Sequence, residues 1–312
     1  MFGLLRKSAA ANGRIGVAFE RDRIAVAVVM RDGDRTMLKS CEVLAFDPAG
    51  GPEAAAAVVR GAGLPRLPVS IVLRPEDYQL VLVEAPDVPP AELRAAMRWR
   101  LKDAIDFRVE DAVIDVFDVP PQSRGGQGRM MYAVAARRVA VERCATALAS
   151  APTFDVVDVP ELCLRNLASR LPQAAGGVAL LHLGEGSASV ILVRGTTFYF
   201  SRQTDFRPVQ PGAADCDGAA QLDSDGIVLE LQRSLDYYER HFDQPPILRI
   251  AISPFSDRAQ ALAEGLNRDT GFEVSSLDLN TLLDCATPID PQTQAACLMA
   301  VGAAIREERR SL

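Results

Sequence analysis

Two separate segments of the chain follow the same order of strands and turns. Residues 14–29 read RIGVAFERDRIAVAVV, and residues 178–193 read VALLHLGEGSASVILV. Each segment has an apolar strand, a tight charged or Gly-rich turn and a β-branched strand, and each continues through a short turn into a third strand. This repeat predicts a duplicated fold of two lobes, in which the two first turns face each other across a cleft.

Charge and composition exclude several classes of protein. The net charge of −7 over 312 residues argues against a nucleic-acid-binding protein, because such proteins usually carry a basic face. Apolar runs are too short to span a bilayer, and residues 1–7 lack the apolar core of a signal peptide. The six cysteines form no CxxC pair and are accompanied by only two histidines. We therefore expect a cytoplasmic protein without a metal site.

Segments with strand and helix periodicity alternate along the chain, which predicts an α/β fold with mixed sheets. The helix predicted at 225–242 carries one apolar stripe and is expected to face the core. In the helix predicted at 91–105, Trp99 lies opposite the apolar stripe. Two interpretations of Trp99 are open: it packs under a neighbouring loop or strand of its own subdomain, or it belongs to a partner surface.

The stretch VPPAELRAAMRWRLKDAIDFRVEDAVIDV at 88–116 resembles the signature of the PilM/MshI family of type IV (MSHA-type) pilus assembly proteins. The match continues, in the family's order and spacing, through 130–148, 154–167, 229–246 and 295–307. The resemblance implies an actin-like fold related to FtsA, with a mixed sheet flanked by helices in each lobe.

The resemblance also implies how the chain is divided. The first lobe is expected at 1–175, with an inserted subdomain at 86–149. The second lobe is expected at 176–312, with a short insert at 213–244. The last helix, predicted at 291–309, can return to the first lobe.

PilM-type proteins bind ATP between the lobes through two turns that each carry an Asp-x-Gly element. Here the first turn reads AFERD at 18–22, the second reads HLGEG at 182–186, and the expected adenosine turn reads SPF at 253–255. We therefore expect a degenerate site without bound ATP or Mg²⁺, and no catalytic residues. Its remnants are Glu20, Asp22, His182, Gly184 and Gly186.

One alternative keeps a magnesium site. Asp158 and Glu161 are further acidic residues near the predicted cleft, and with Glu20 and Asp22 they could hold Mg²⁺. Acidic residues at strand ends are more often surface or capping residues, so ATP binding is not the favoured expectation.

The resemblance implies a structural adaptor at the cytoplasmic face of the bacterial inner membrane, rather than an enzyme. Its expected partner is the N-terminal cytoplasmic tail of a PilN/MshJ-like single-span membrane protein, docked between the first-lobe core and the inserted subdomain. The residues predicted to contact this tail are Trp99, Arg98, Phe107, Val113 and Asp115.

Two other functions are kept as alternatives, a nucleotide-dependent actin-like ATPase and a GspL-like cytoplasmic domain of type II secretion. The pilus system and the presence of a homodimer are left open by the sequence.

Overall fold

The computed structural model describes residues 12–33, 35–122, 128–149, 153–184, 187–205 and 224–307. Within these ranges the strands are β1 (Gly13–Phe19), β2 (Arg23–Asp32), β3 (Arg35–Ala45), β4 (Pro68–Val72), β5 (Tyr78–Glu84), β6 (Ala112–Asp118), β7 (Met130–Arg137), β8 (Thr153–Asp158), β9 (Val178–Leu183), β10 (Ser187–Arg194), β11 (Thr197–Asp205), β12 (Arg249–Ser253), β13 (Glu273–Ser276) and β14 (Asp284–Cys285). The α-helices are α1 (Gly51–Gly61), α2 (Leu93–Leu101), α3 (Arg138–Ala147), α4 (Pro160–Ala168), α5 (Ser224–His241), α6 (Asp257–Asp269), α7 (Leu279–Leu282) and α8 (Pro291–Ala304).

The two large sheets repeat one arrangement of strands. In the first lobe the strand order is β14-β3-β2-β1-β4-β8, and in the second lobe it is β11-β10-β9-β12-β13. Strands β1 to β3 and β9 to β11 are antiparallel meanders, while β4 lies parallel to β1 and β12 parallel to β9. The duplication predicted from the sequence is therefore present in the sheets.

Helix α8 and strand β14 pack on the first lobe. A Cβ atom at Gly16 of β1 would overlap with the carbonyl oxygen of Ala300, so α8 lies directly on this strand. The Arg31 guanidinium donates to the carbonyl oxygens of Ile305 and Arg306 at 2.8 and 2.6 Å and satisfies the end of α8. Strand β14 also joins the first-lobe sheet, beside β3. The sequence pattern missed β14, and α8 ends before the predicted residue 309.

The inserted subdomain is a three-stranded antiparallel sheet in the order β5-β7-β6, with α2 packed on one face. Met97 and Leu101 of α2 lie in its core with residues of β6 and β7. The opposite face reaches the second lobe, where the Phe117 ring lies 5.6 Å from that of Phe198. The Tyr132 hydroxyl accepts a hydrogen bond from the backbone N–H of Ser201 at 3.2 Å.

The expected insert bounds of 86–149 differ from the observed packing at both ends. Strand β5 begins at Tyr78 and pairs with β7, so the subdomain starts before residue 86. Helix α3 packs in the first-lobe core, because Ala140 and Cys144 lie in the same buried cluster as Val59 of α1. Of the second expected insert, residues 213–223 lie outside the described residues, and α5 from Ser224 packs in the second-lobe core.

Helix α5 covers the second-lobe sheet with its apolar stripe. The buried members of that stripe are Ile227, Leu231, Leu235, Tyr238 and Phe242. The ring of Tyr199 on β11 meets the rings of Tyr238 and Phe242 edge to face, at 5.2 and 5.0 Å.

Leu231→Asp is expected to lower the free energy of unfolding by about 3 kcal/mol or more, because it buries a charge without a partner. The matched control is Leu229→Asp on the exposed face of the same helix, which should change stability by about 0.5 kcal/mol or less. Urea unfolding checks both variants. Equal stability of the two would show that the stripe is not buried in solution.

Candidate functional site

The first turn of the repeat has carboxylates that already face an arginine. Glu20 and Asp22 join β1 to β2, and the Arg23 guanidinium lies 2.8 Å from the Glu20 carboxylate and 3.5 Å from that of Asp22. Glu20 also lines a cavity of about 180 Å³ whose walls all belong to the first lobe. His182 and Gly184 are not among the residues that line this cavity.

The second turn contains an uncharged histidine ring, His182, and a backbone N–H, that of Gly184, which already donates a hydrogen bond within the turn. Nδ1 of His182 lies 3.2 Å from Oγ of Ser253, on the neighbouring strand β12. Burial lowers the pKa of His182 from 6.5 to about 4, so the ring is uncharged at neutral pH. The Gly184 N–H donates to the carbonyl oxygen of Ser187 at 2.8 Å and therefore does not point at a phosphate. Gly186 lies outside the described residues.

The further acidic residues considered for Mg²⁺ are also engaged. The Arg306 guanidinium contacts the Asp158 carboxylate at 2.8 Å, and the Tyr78 hydroxyl donates to Glu161 at 2.6 Å. Burial raises the pKa of Glu161, which disfavours its charged form. Within the described ranges, no group of three or more His, Cys, Asp or Glu side chains is arranged to hold a metal ion.

A larger concave region lies between the inserted subdomain and the edge of the first-lobe sheet. This groove has a volume of about 750 Å³, with β6 on one side and β8 on the other. Arg306 lies in its wall, as do Pro86 and Val88 in the segment before α2. The large apolar side chains that are most exposed in the groove are Val113 at 37% and Phe154 at 38%.

Two of the five predicted partner residues lie in this groove. Val113 and Asp115 both line it from β6. The Asp115 carboxylate lies 3.5 Å from the Arg94 guanidinium. Two further acidic residues of the groove, Asp118 and Asp155, likewise have arginine partners, in Arg129 and Arg14. Arginine side chains thus partly neutralise the acidic residues of the groove.

The other three predicted partner residues are not among those that line the groove. Arg98 holds α2 to the subdomain by donating to the carbonyl oxygens of Val109 and Ala112, at 2.9 and 3.4 Å. The Phe107 ring lies under the Arg137 guanidinium, 4.3 Å from ring centroid to Cζ. Trp99 is 78% exposed on the outer face of α2. It therefore does not pack under a neighbouring loop or strand, as one of the two interpretations expected.

Several groove residues have no distinctive signal in the sequence. Phe154 and Val156 read as an ordinary strand, and Arg306 reads as the end of a helix. Their place in the groove depends on β8 being the outer strand of the sheet, which is set by the order of strands far apart in sequence. Leu93, the α2 residue in the groove, lies in the apolar stripe that the helical periodicity did identify.

Comparison with known proteins shows the fold. No protein-family model matches the chain, and no curated protein matches it. Among solved structures, it is similar to a chain of the PilM-PilN type IV pilus biogenesis complex, with 21% identity, 95% coverage of this chain, 98% of that chain and a TM-score of 0.68. The chain has the actin-like fold of the PilM type. The two-lobe fold predicted from the sequence is therefore confirmed.

Two more distant structures also match over most of their length. One is a Bacteroides thetaiotaomicron protein described as having an actin-like ATPase fold and unknown function, with 8% identity, coverage of 95% and 99%, and a TM-score of 0.49. The other is the cytoplasmic domain of EpsL, an inner-membrane component of the type II secretion system of Vibrio cholerae, with 13% identity, coverage of 92% and 94%, and a TM-score of 0.47. Among the described residues of this chain, no helix has the length and apolar content of a membrane span.

We expect the protein to show no micromolar affinity for ATP in the presence of Mg²⁺. The acidic positions of the two turns hold Ala18 and His182, and neither a methyl group nor a neutral imidazole supplies a carboxylate for the metal. Isothermal titration calorimetry measures this, with a PilM-type protein that carries both Asp-x-Gly turns as the positive control. A micromolar dissociation constant would contradict the expectation.

The lowered pKa of His182 predicts a pH dependence of stability. Between pH 6.5 and about 4 the unfolded imidazole binds a proton and the folded one does not, so stability falls as the pH falls through this window. The slope contributed is at most about 1.4 kcal/mol per pH unit. Urea unfolding at several pH values should show a smaller loss toward low pH for His182→Gln than for the wild type. Parallel curves would mean that His182 titrates normally in the folded state.

Proposed function

We propose that this chain is a PilM/MshI-type adaptor of a type IV or MSHA-type pilus assembly platform. It holds the N-terminal cytoplasmic tail of a PilN/MshJ-like single-span protein at the cytoplasmic face of the inner membrane. The similarity in fold to a chain of the PilM-PilN complex supports the proposal. The resemblance of residues 88–116 to the family signature supports it independently.

The groove between the inserted subdomain and β8 is the observation that carries this proposal. Its volume of about 750 Å³ is within the range of ligand sites, roughly 300–1,000 Å³. Val113 and Phe154 leave apolar surface exposed within it, which a peptide with apolar side chains would cover. A short tail is an occupant of suitable size and polarity.

Charge in the groove affects the orientation of the bound tail more than its affinity. Asp115, Asp118 and Asp155 are all partly exposed, and their arginine partners offset most of their charge. Cytoplasmic segments beside a membrane span usually carry lysine or arginine. Because the net field is small, it directs the tail and contributes less to affinity than the apolar contacts do.

A binding role requires no catalytic group, and the described acidic residues considered for a metal site all have partners. Glu20, Asp22 and Asp158 each face an arginine. These contacts among the described residues do not support the ATPase alternative. The adaptor function uses the groove, which is built from other parts of the fold.

Val113→Arg is expected to weaken tail binding at least tenfold, because it places a long cation on the apolar wall of the groove. The probe is a synthetic peptide with the N-terminal tail of a PilN/MshJ-like single-span membrane protein from the same genome. Fluorescence anisotropy with the labelled peptide gives the dissociation constant.

The matched control is Val139→Arg, on α3, where the native side chain is 66% exposed and does not line the groove. It should change the dissociation constant less than threefold. Trp99→Ala locates the surface that is used. Loss of binding in Trp99→Ala, with normal binding in Val113→Arg, would place the tail on the outer face of α2 instead.

A further inference from the structure

We propose that the tail binds as an added β-strand, hydrogen-bonded through its backbone to the free edge of β8. This inference rests on the proposed function, since it specifies how the groove holds the tail. In this mode of binding, backbone hydrogen bonds of the tail provide the affinity, and its alternate side chains provide the selectivity.

The lining of the groove shows that it runs along the edge of β8. Five consecutive residues, from Phe154 to Asp158, line it. Successive side chains of a strand point to opposite faces of the sheet, so a cavity over one face would contact only every second residue. Strand β8 is also the outermost strand of the first-lobe sheet. The cavity therefore lies where the next strand of this sheet would lie.

Other outer strands have edges that side chains occupy. On β13, Asn267 donates to the carbonyl oxygen of Val274 at 2.8 Å and accepts from its N–H at 2.9 Å. On β11, the Ser201 N–H donates to the Tyr132 hydroxyl. Such contacts satisfy backbone groups that would otherwise pair with another strand.

In strand β6, the opposite wall of the groove, side chains also satisfy some of the backbone hydrogen-bonding groups. The Val116 N–H donates to the Asp115 carboxylate at 3.1 Å, and Arg98 donates to the carbonyl oxygen of Ala112. In the part of the chain that the structure describes, no side chain makes such a contact with the backbone of residues 154–157 of β8. Of the two walls, the edge of β8 is therefore the one whose backbone groups are less occupied by side chains.

The composition of β8 makes a covering strand favourable. Phe154, Val156 and Val157 give the edge an apolar character, and Asp155 is engaged by Arg14 at 2.8 Å. An unpaired apolar edge strand is a site of aggregation unless another segment covers it. The six residues of β8 extend over about 20 Å, so a tail segment of about six residues would match it.

N-methylation of single peptide bonds in the tail peptide tests this mode of binding. Each N-methyl group removes one backbone donor and leaves the side chain in place. Over a stretch of about six residues, we expect at least a tenfold loss of affinity at every second position and less than a threefold loss at the positions between. The alternation arises because only every second residue of a strand faces a given neighbour. Anisotropy with the full-length protein gives the dissociation constants.

The outcomes separate this inference from the proposed function. Failure of the unmodified tail peptide to bind would overturn both. Binding of the unmodified peptide, with uniform tolerance or uniform loss across the N-methyl series, would overturn strand addition and leave the adaptor function in place. Hydrogen exchange supplies a second measurement: the amides of 154–157 should become protected on binding, and unchanged exchange there would also overturn strand addition.

Discussion

The contact between α8 and β1 is the constraint on which the arrangement of the lobes depends. Gly16 has no side chain, so the backbone of α8 at Ala300 lies directly on the strand. Asn166 of α4 donates to the carbonyl oxygen of Gly302 in α8 at 2.9 Å, and this hydrogen bond links α4 to α8. Because β1 begins the described chain and α8 ends it, this contact joins segments nearly 300 residues apart and places both helices between the two large sheets.

The same helix fixes one wall of the groove. Arg306, two residues after α8, contacts Asp158 at the end of β8 at 2.8 Å. Asp158 also accepts from the Val159 N–H, so the outer strand is held at the point where the chain turns into α4. The opposite wall is held by the second lobe, through the rings of Phe117, Tyr132 and Phe198. A groove with two fixed walls binds an extended segment with little loss of its own conformational entropy.

Local periodicity predicted much of this structure, and non-local strand order could not be predicted. The repeat of β1–β2 and β9–β10 is visible in the sequence because each hairpin is contiguous. The insert bounds were misplaced because β5 pairs with β7 across 45 intervening residues, Ala85–Arg129, which no local pattern records. Both Val113 and Phe154 line the groove. The family signature pointed to Val113, whereas the position of Phe154 depends on β8 being outermost and has no local signal. Trp99 was correctly placed opposite the apolar stripe of α2, but an exposed helix face carries no information about which cavity is near it.

A nucleotide site and a groove for an added strand require different chemistry from the side chains around them. A magnesium–phosphate site needs carboxylates free to bind the metal, but Arg23 and Arg306 occupy those of Glu20 and Asp158. Each of these ion pairs removes a possible metal ligand and at the same time holds a turn or a strand end in one position. Docking of a strand needs such fixed positions, because backbone hydrogen bonds form only when the receiving edge is already aligned. The Arg306–Asp158 ion pair holds the end of β8 in this way, and β8 is one wall of the groove.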